Sequence, residues 1–241
     1  MFRHQGKTRT LAHNLEIASL LSFVAGLVNV AGFFSVQRLT TNVTGHFAFF
    51  VDEIFKLNFS ASIIFFLYIL AFFSGSFVSN LMVEVISRKN DRYVFIFPTL
   101  FEILILLTIG ILGELLISWS PDTIALALLF AMGLQNSLVT RLSGAIVRTT
   151  HLTGLFTDLG IELSQLFFYK SIEQQEKLRS TIRLRLRIIS FFFIGGIVGG
   201  IVYSQIQLYS LILGAMVLVA GLIYDGIKFK IILLKRKYHV P

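Results

Sequence analysis

The chain contains no cysteine, which excludes disulfides and thiolate metal sites. It is poor in charge. Only 14% of its 241 residues are Asp, Glu, Lys or Arg, against about 25% in soluble domains. Its five histidines, at 4, 13, 46, 151 and 239, lack the spacing of metal ligands. No serine–histidine pair, acidic cluster or phosphate loop stands out, so neither an enzyme nor a bound cofactor is expected. His46 and His151 are the histidines left as candidates in the membrane region. Hydrophobic residues, in contrast, make up 55% of the chain, including 25 Phe, and the mean hydropathy is +0.80. These values indicate an integral membrane protein.

Six apolar runs are near the roughly 20 residues needed to cross a bilayer: 14–36, 60–85, 94–117, 123–140, 188–206 and 208–227. The first follows a basic start and has no small-residue cleavage site, so it is read as a spanning helix and not a removed signal. Two more segments, 44–57 and 152–169, each follow a repeated motif. Thr40-Thr41-Asn42-Val43-Thr44-Gly45 returns as Thr149-Thr150-His151-Leu152-Thr153-Gly154. The first segment is too short to cross and carries Asp52, Glu53 and Lys56. The second is long enough but contains Asp158 and Glu162.

Basic residues arbitrate. If both motif segments dip in and return on one side, with a cytoplasmic amino terminus, 19 of the 21 Lys and Arg lie inside and only Arg38 and Lys56 outside. If both segments cross, the division falls to 15 and 6. The positive-inside rule favours the first arrangement. Both termini are then cytoplasmic and the protein sits in the cell (inner) membrane.

The expected fold is therefore an all-α, six-helix membrane domain covering 1–241. It is built as two inverted three-helix repeats, 14–117 and 122–233, each with a re-entrant or broken helix after its T-T-x-x-T-G motif. Ala25-Gly26-Leu27-Val28-Asn29 parallels Met132-Gly133-Leu134-Gln135-Asn136. The stretch Phe72-Phe73-Ser74-Gly75-Ser76 parallels Phe192-Phe193-Ile194-Gly195-Gly196. Inverted repeats with broken helices place a solute site near the midplane.

The paired signatures, A-G-L-V-N-V-A-G-F then T-T-N-V-T-G, and A-M-G-L-Q-N then R-T-T-H-L-T-G-L-F-T-D-L-G, resemble those of the YoaK-like family. This is a bacterial membrane-protein family of unknown function. The resemblance covers nearly the whole chain and implies a polytopic membrane protein, without naming a substrate. The first signature departs from the family's usual T-G-N ending, with His46 after Gly45.

Candidate solute-binding residues are Asn29, Asn42, Thr44, Gly45, Gln135, Asn136, His151, Thr153 and Gly154. Gly45 and Gly154 are read as turning points, and Thr44 and Thr153 as helix caps. Helix starts at that depth suit an anion or a small polar solute. Each residue also has a plain structural role as cap, packing element or interhelical glue. Glu102, in an otherwise uncharged run, and Asp158, four residues before Glu162, are candidates for proton coupling. Asp158 and Glu162 also fit an interfacial end near Arg148 and Lys170, and Asp225 is expected to pair with Lys228. Gly195, Gly196, Gly199 and Gly200 form a close-packing face, within the protomer or in a homo-oligomer. The basic linker 170–187 suits anionic lipid heads better than nucleic acid. The leading reading is a transporter or channel; a non-transporting assembly or sensor protein is the second, a membrane enzyme the third.

Overall fold

The computed structural model describes residues 10–88, 94–143 and 147–238, with side chains as far as Lys228. The basic residues Arg3, Lys7, Arg9, Lys89 and Arg92, used above for orientation, lie outside the described residues. The described chain is helical, with no strand among the described residues. Its helices are α1 (Leu11–Val36), α2 (Val43–Phe55), α3 (Phe59–Ser87), α4 (Ile96–Trp119), α5 (Pro121–Ser143), α6 (Leu152–Gln165), α7 (Ile172–Ile206) and α8 (Ser210–Tyr238).

Five stretches are long and apolar enough to cross a membrane. Four are α1, α3, α4 and α5. The fifth is 57 residues, Ile172–Lys228, and contains both α7 and most of α8. A 3-10 turn at Gln207–Tyr209 divides it. Gln207 has φ 50° and caps the C-terminus of α7. α7 begins well before the expected residue 188. The basic linker supplies its first turns, because Leu178, Ile182 and Ile189 recur on one buried face.

The outside of the bundle is apolar. Phe73, Phe77, Ile197 and Ile201 are all more than half exposed, and only 17% of the most apolar window of α3 is buried. A large exposed apolar surface of this kind is covered by lipid in a membrane protein. The inside is made of small residues and Leu, Ile and Val, centred on α1 and α5.

Two interfaces hold the bundle, and they match in detail. α1 packs on α7: a methyl added at Gly26 would overlap the carbonyl of Phe192, and one at Gly195 would overlap the carbonyl of Phe23. α3 packs on α5: a methyl at Gly133 would overlap the carbonyl of Phe72, and one at Gly75 the carbonyl of Phe130. Only glycine lets two helix backbones approach this closely. Gly199 faces Leu27, and Gly196 and Gly200 face Val30. The glycine face of α7 is therefore filled by α1 within the protomer.

Helix directions follow from the contacts. α1 and α7 run parallel, from Ser19 beside Arg187 to Phe34 beside Tyr203. α3 and α5 also run parallel, from Tyr68 beside Asp122 to Glu84 beside Arg141. α1 and α5 run antiparallel, since Gln135 reaches Leu21 while Leu128 lies by Gly32. α4 and α8 are antiparallel too, with Gly110 against Ile212 and Leu106 against Gly214.

Candidate functional site

Each motif is tied back to the helix before it by its first two threonines. In the first, Thr40 Oγ1 donates to the Val28 carbonyl at 3.2 Å, and Thr41 Oγ1 donates to Asn29 Oδ1 at 2.7 Å. In the second, Gln135 Nε2 donates to Thr149 Oγ1 at 3.2 Å and to the Leu21 carbonyl at 2.8 Å. Asn136 Nδ2 donates to Thr150 Oγ1 at 2.7 Å. Thr40, Thr149 and Gln135 are fully buried. Buried polar groups must be bonded to be tolerated. These bonds fix where α2 and α6 begin.

The two helices are short, at 13 and 14 residues, roughly 20 Å at 1.5 Å per residue. α6 ends at Gln165, not at 169, so both motif helices fall short of a bilayer's thickness. α2 folds back along α3, with Phe49 stacked on Phe65 at 5.3 Å and His46 4.7 Å from Tyr68.

The capping assignment changes. Asn42 is the N-cap of α2, its Oδ1 accepting from the Gly45 N–H at 2.9 Å. Thr44 lies inside the first turn. His151 is the N-cap of α6 without a side-chain cap bond, and Thr153 is likewise inside the first turn. A short polar side chain just before a helix reaches its free N–H groups, whereas one already inside cannot. Gly45 and Gly154 are helical positions too, and neither is a turn. Among the described residues other than glycine, positive φ occurs at Gln37, Leu57 and Gln207. Instead, the glycines make room for Leu39 and for the His151 ring, into which a methyl would push.

Both motifs line one cavity of about 670 Å³. Thr41, Asn42, Val43, Thr44, Gly45 and Ala48 come from the first side. Arg148, Thr150, His151, Leu152 and Thr153 come from the second, and Phe72, Asn136 and Thr140 complete the wall. Of the expected residues, Asn42, Thr44, Gly45, Asn136, His151 and Thr153 are thus brought together. Asn29, Gln135 and Gly154 are not in the wall, and Asn29 and Gln135 act by anchoring the motifs. Thr140, Phe72 and Arg148 were missed. Thr140 follows Asn136 by four residues, hence on the same helix face. Arg148, the one charged residue in the wall, enters the sequence reading only through topology and as a neighbour of Asp158 and Glu162.

Other candidates lie elsewhere. His46 is fully buried, its Nε2 2.6 Å from the Leu39 carbonyl. Its neighbour Tyr68 donates to Asp122, which Arg38 approaches to 4.0 Å. Glu102 is fully buried in α4, and neither carboxylate oxygen has a hydrogen-bond partner among the described residues. Asp158 and Glu162 do share a helix face, but their partner is Arg185, not Arg148 or Lys170. Arg185 bonds Glu162 through Nε and Nη2 at 2.8 and 3.0 Å, and Asp158 through Nη1 at 2.8 Å. Lys228 bonds Glu16 at 2.7 Å, while the expected Asp225 acts on it through its charge. No group of three or more potential metal ligands occurs among the described residues.

A family model described as "protein of unknown function (DUF1275)" matches residues 17–224. No curated protein and no solved structure matches the chain.

Proposed function

The chain belongs to this DUF1275 family, as the resemblance to YoaK-like proteins implied, and from its geometry we propose that it carries a small solute across the cell membrane. The solute site is the cavity between the two T-T-x-x-T-G motifs. One observation carries this reading: residues of both motifs, more than a hundred positions apart, line a single cavity that hydroxyl, amide, imidazole and guanidinium side chains share with apolar ones. Polar side chains gathered at a hollow among helices with apolar exteriors are costly unless they serve a polar guest.

The proposed architecture has six crossings, α1, α3, α4, α5, α7 and α8, in two inverted repeats of 14–117 and 122–233. Three observations support it. The glycine contacts of α1 on α7 recur, residue for residue, in α5 on α3. The equivalent helices α1 and α5 run antiparallel, as inversion requires. α2 returns along α3 from its cavity end at Gly45, level with Phe72 near the middle of α3, to the turn at 56–58. On this reading α2 and α6 are re-entrant half-helices, both termini are cytoplasmic, and catalysis plays no part. Only His151 of the two candidate histidines reaches the cavity, which favours transport over a two-histidine enzyme.

Stopped-flow light scattering on proteoliposomes tests this without a known substrate. Vesicles are shocked with small polar neutral and anionic solutes in turn. Faster reswelling than in empty vesicles, lost in a Gly45→Val, Gly154→Val double variant that still folds, is the expected result. Reswelling no faster than in empty vesicles across the series would leave an assembly or sensor role.

A further inference from the structure

A second cavity, about 330 Å³, adjoins the first. Ser76, Asn80, Asn136, Ser137, Thr140 and Arg141 line it, and Asn136 and Thr140 belong to both walls. On α3, Ser76, Asn80 and Glu84 stand four residues apart and so share one face. That face meets the polar face of α5. At the far end Arg141 Nη2 donates to Glu84 Oε1 at 2.7 Å, with both side chains about half exposed.

The equivalent positions at the other end of the molecule are different. Under the repeat matching of 72–76 with 192–196, Ser76, Asn80 and Glu84 correspond to Gly196, Gly200 and Ser204. Under the matching of 25–29 with 132–136, Ser137 and Arg141 correspond to Val30 and Phe34. There Val30 packs against Gly196 and Gly200, and Phe34 lies against Tyr203 at 5.7 Å. One half thus has hydroxyls, amides and an ion pair where the other has glycine, valine and an edge-to-face ring pair.

We propose that the second cavity is the inner vestibule of the solute site, with Glu84 and Arg141 as its gate. A small polar solute leaves the motif cavity past Asn136 and Thr140, exchanges hydrogen bonds with Ser76, Asn80 and Ser137, and enters the cytoplasm when the ion pair parts. The apolar contact of Val30 and Phe34 with α7 seals the outward side in this conformation. The proposal rests on reading the motif cavity as a solute site.

Because the chain lacks cysteine, single thiols test it directly. Thr140→Cys, Asn80→Cys and Gly200→Cys variants of the full chain are treated with an impermeant maleimide in spheroplasts and in inverted vesicles. Monodisperse elution in detergent is the folding control, and Ser137→Cys replaces any variant that fails it. Thr140→Cys and Asn80→Cys are expected to react from the inside only, and Gly200→Cys not to react from outside. Reaction of Thr140→Cys only from outside would overturn the vestibule and leave the motif cavity standing as the site. No reaction from either side would overturn both. For the gate, adding Arg141→Gln should speed inside labelling at position 140 roughly two- to fivefold, the size of an exposed ion pair. Exchanging the charges, Glu84→Arg with Arg141→Glu, should restore the slow rate. An unchanged rate in Arg141→Gln would remove the gate.

Discussion

Gly26, Gly75, Gly133 and Gly195 do one job, which is to let helix backbones touch. Gly133→Ala would drive a methyl into the Phe72 carbonyl, which belongs to backbone and cannot swing aside. The expected loss is about 1–3 kcal/mol, read as a lower melting temperature in detergent. Gly160 is the control. It lies in α6 with nothing within 4 Å of an added methyl, so Gly160→Ala should be neutral or raise stability by up to about 1 kcal/mol. The cap of α2 gives a second contrast. Asn42→Ala removes the acceptor of the Gly45 N–H and should destabilise by about 0.5–2 kcal/mol. Thr44→Val, one position inside the helix, leaves that bond in place and should stay within about 0.5 kcal/mol of the parent by the same melt. The motif's threonines and glycine were legible as a repeat. Which residue caps was not, because the helix starts at Val43, two residues earlier than a threonine cap at 44 implies.

At the scale of elements, α6 is tied to α7 by an ion-pair cluster, and also buries Leu155 and Leu159 in the core. Arg185 is 21% exposed and bonds both Asp158 and Glu162. Arg185→Gln should free α6 while leaving α2, whose partner is α3, unaffected. Hydrogen exchange would then quicken across 152–165 and remain unchanged across 43–55. Equal quickening in both would mean that Arg185 supports the whole bundle. The six long apolar runs and the short first motif helix were readable from hydropathy and charge placement, whereas the second motif segment reads as long enough to cross, to residue 169, and ends at Gln165. Pairings between distant helices were not readable. Periodicity places Asp158 and Glu162 on one face, but nothing in it brings α7 alongside. Spacing likewise favoured Asp225 as the partner of Lys228. The actual bonding partner, Glu16, is 212 positions away and depends on α1 packing beside α8. The start of α7 was misplaced because its basic first turns mask a continuous buried stripe.

For the whole molecule, the proposed orientation sets which ends face the cytoplasm. A cysteine at Ser118 or Ser120, between α4 and α5, should react with an impermeant thiol reagent from outside. One at Ser180, in the basic part of α7, should react only in inverted vesicles. Outside labelling of position 180 would require the basic residues of 170–187 to have been translocated, against the charge bias. Asn90, an equivalent inside position by sequence, lies outside the described residues. The matched halves were visible in the sequence through their two pairs of signatures. The placement of basic residues already favoured inversion; the contacts that bring both motifs to one cavity needed the structure, because hydropathy and charge name no partners between distant helices. The central claim is that the two motifs face one another across a single cavity. The most direct measurement is cross-linking of a Thr44→Cys, Thr153→Cys double variant in intact membranes with a short bismaleimide, read by mass spectrometry. The account predicts an intramolecular link between positions 44 and 153. Contradiction would be no link, with position 44 labelled only from outside and position 153 only from inside.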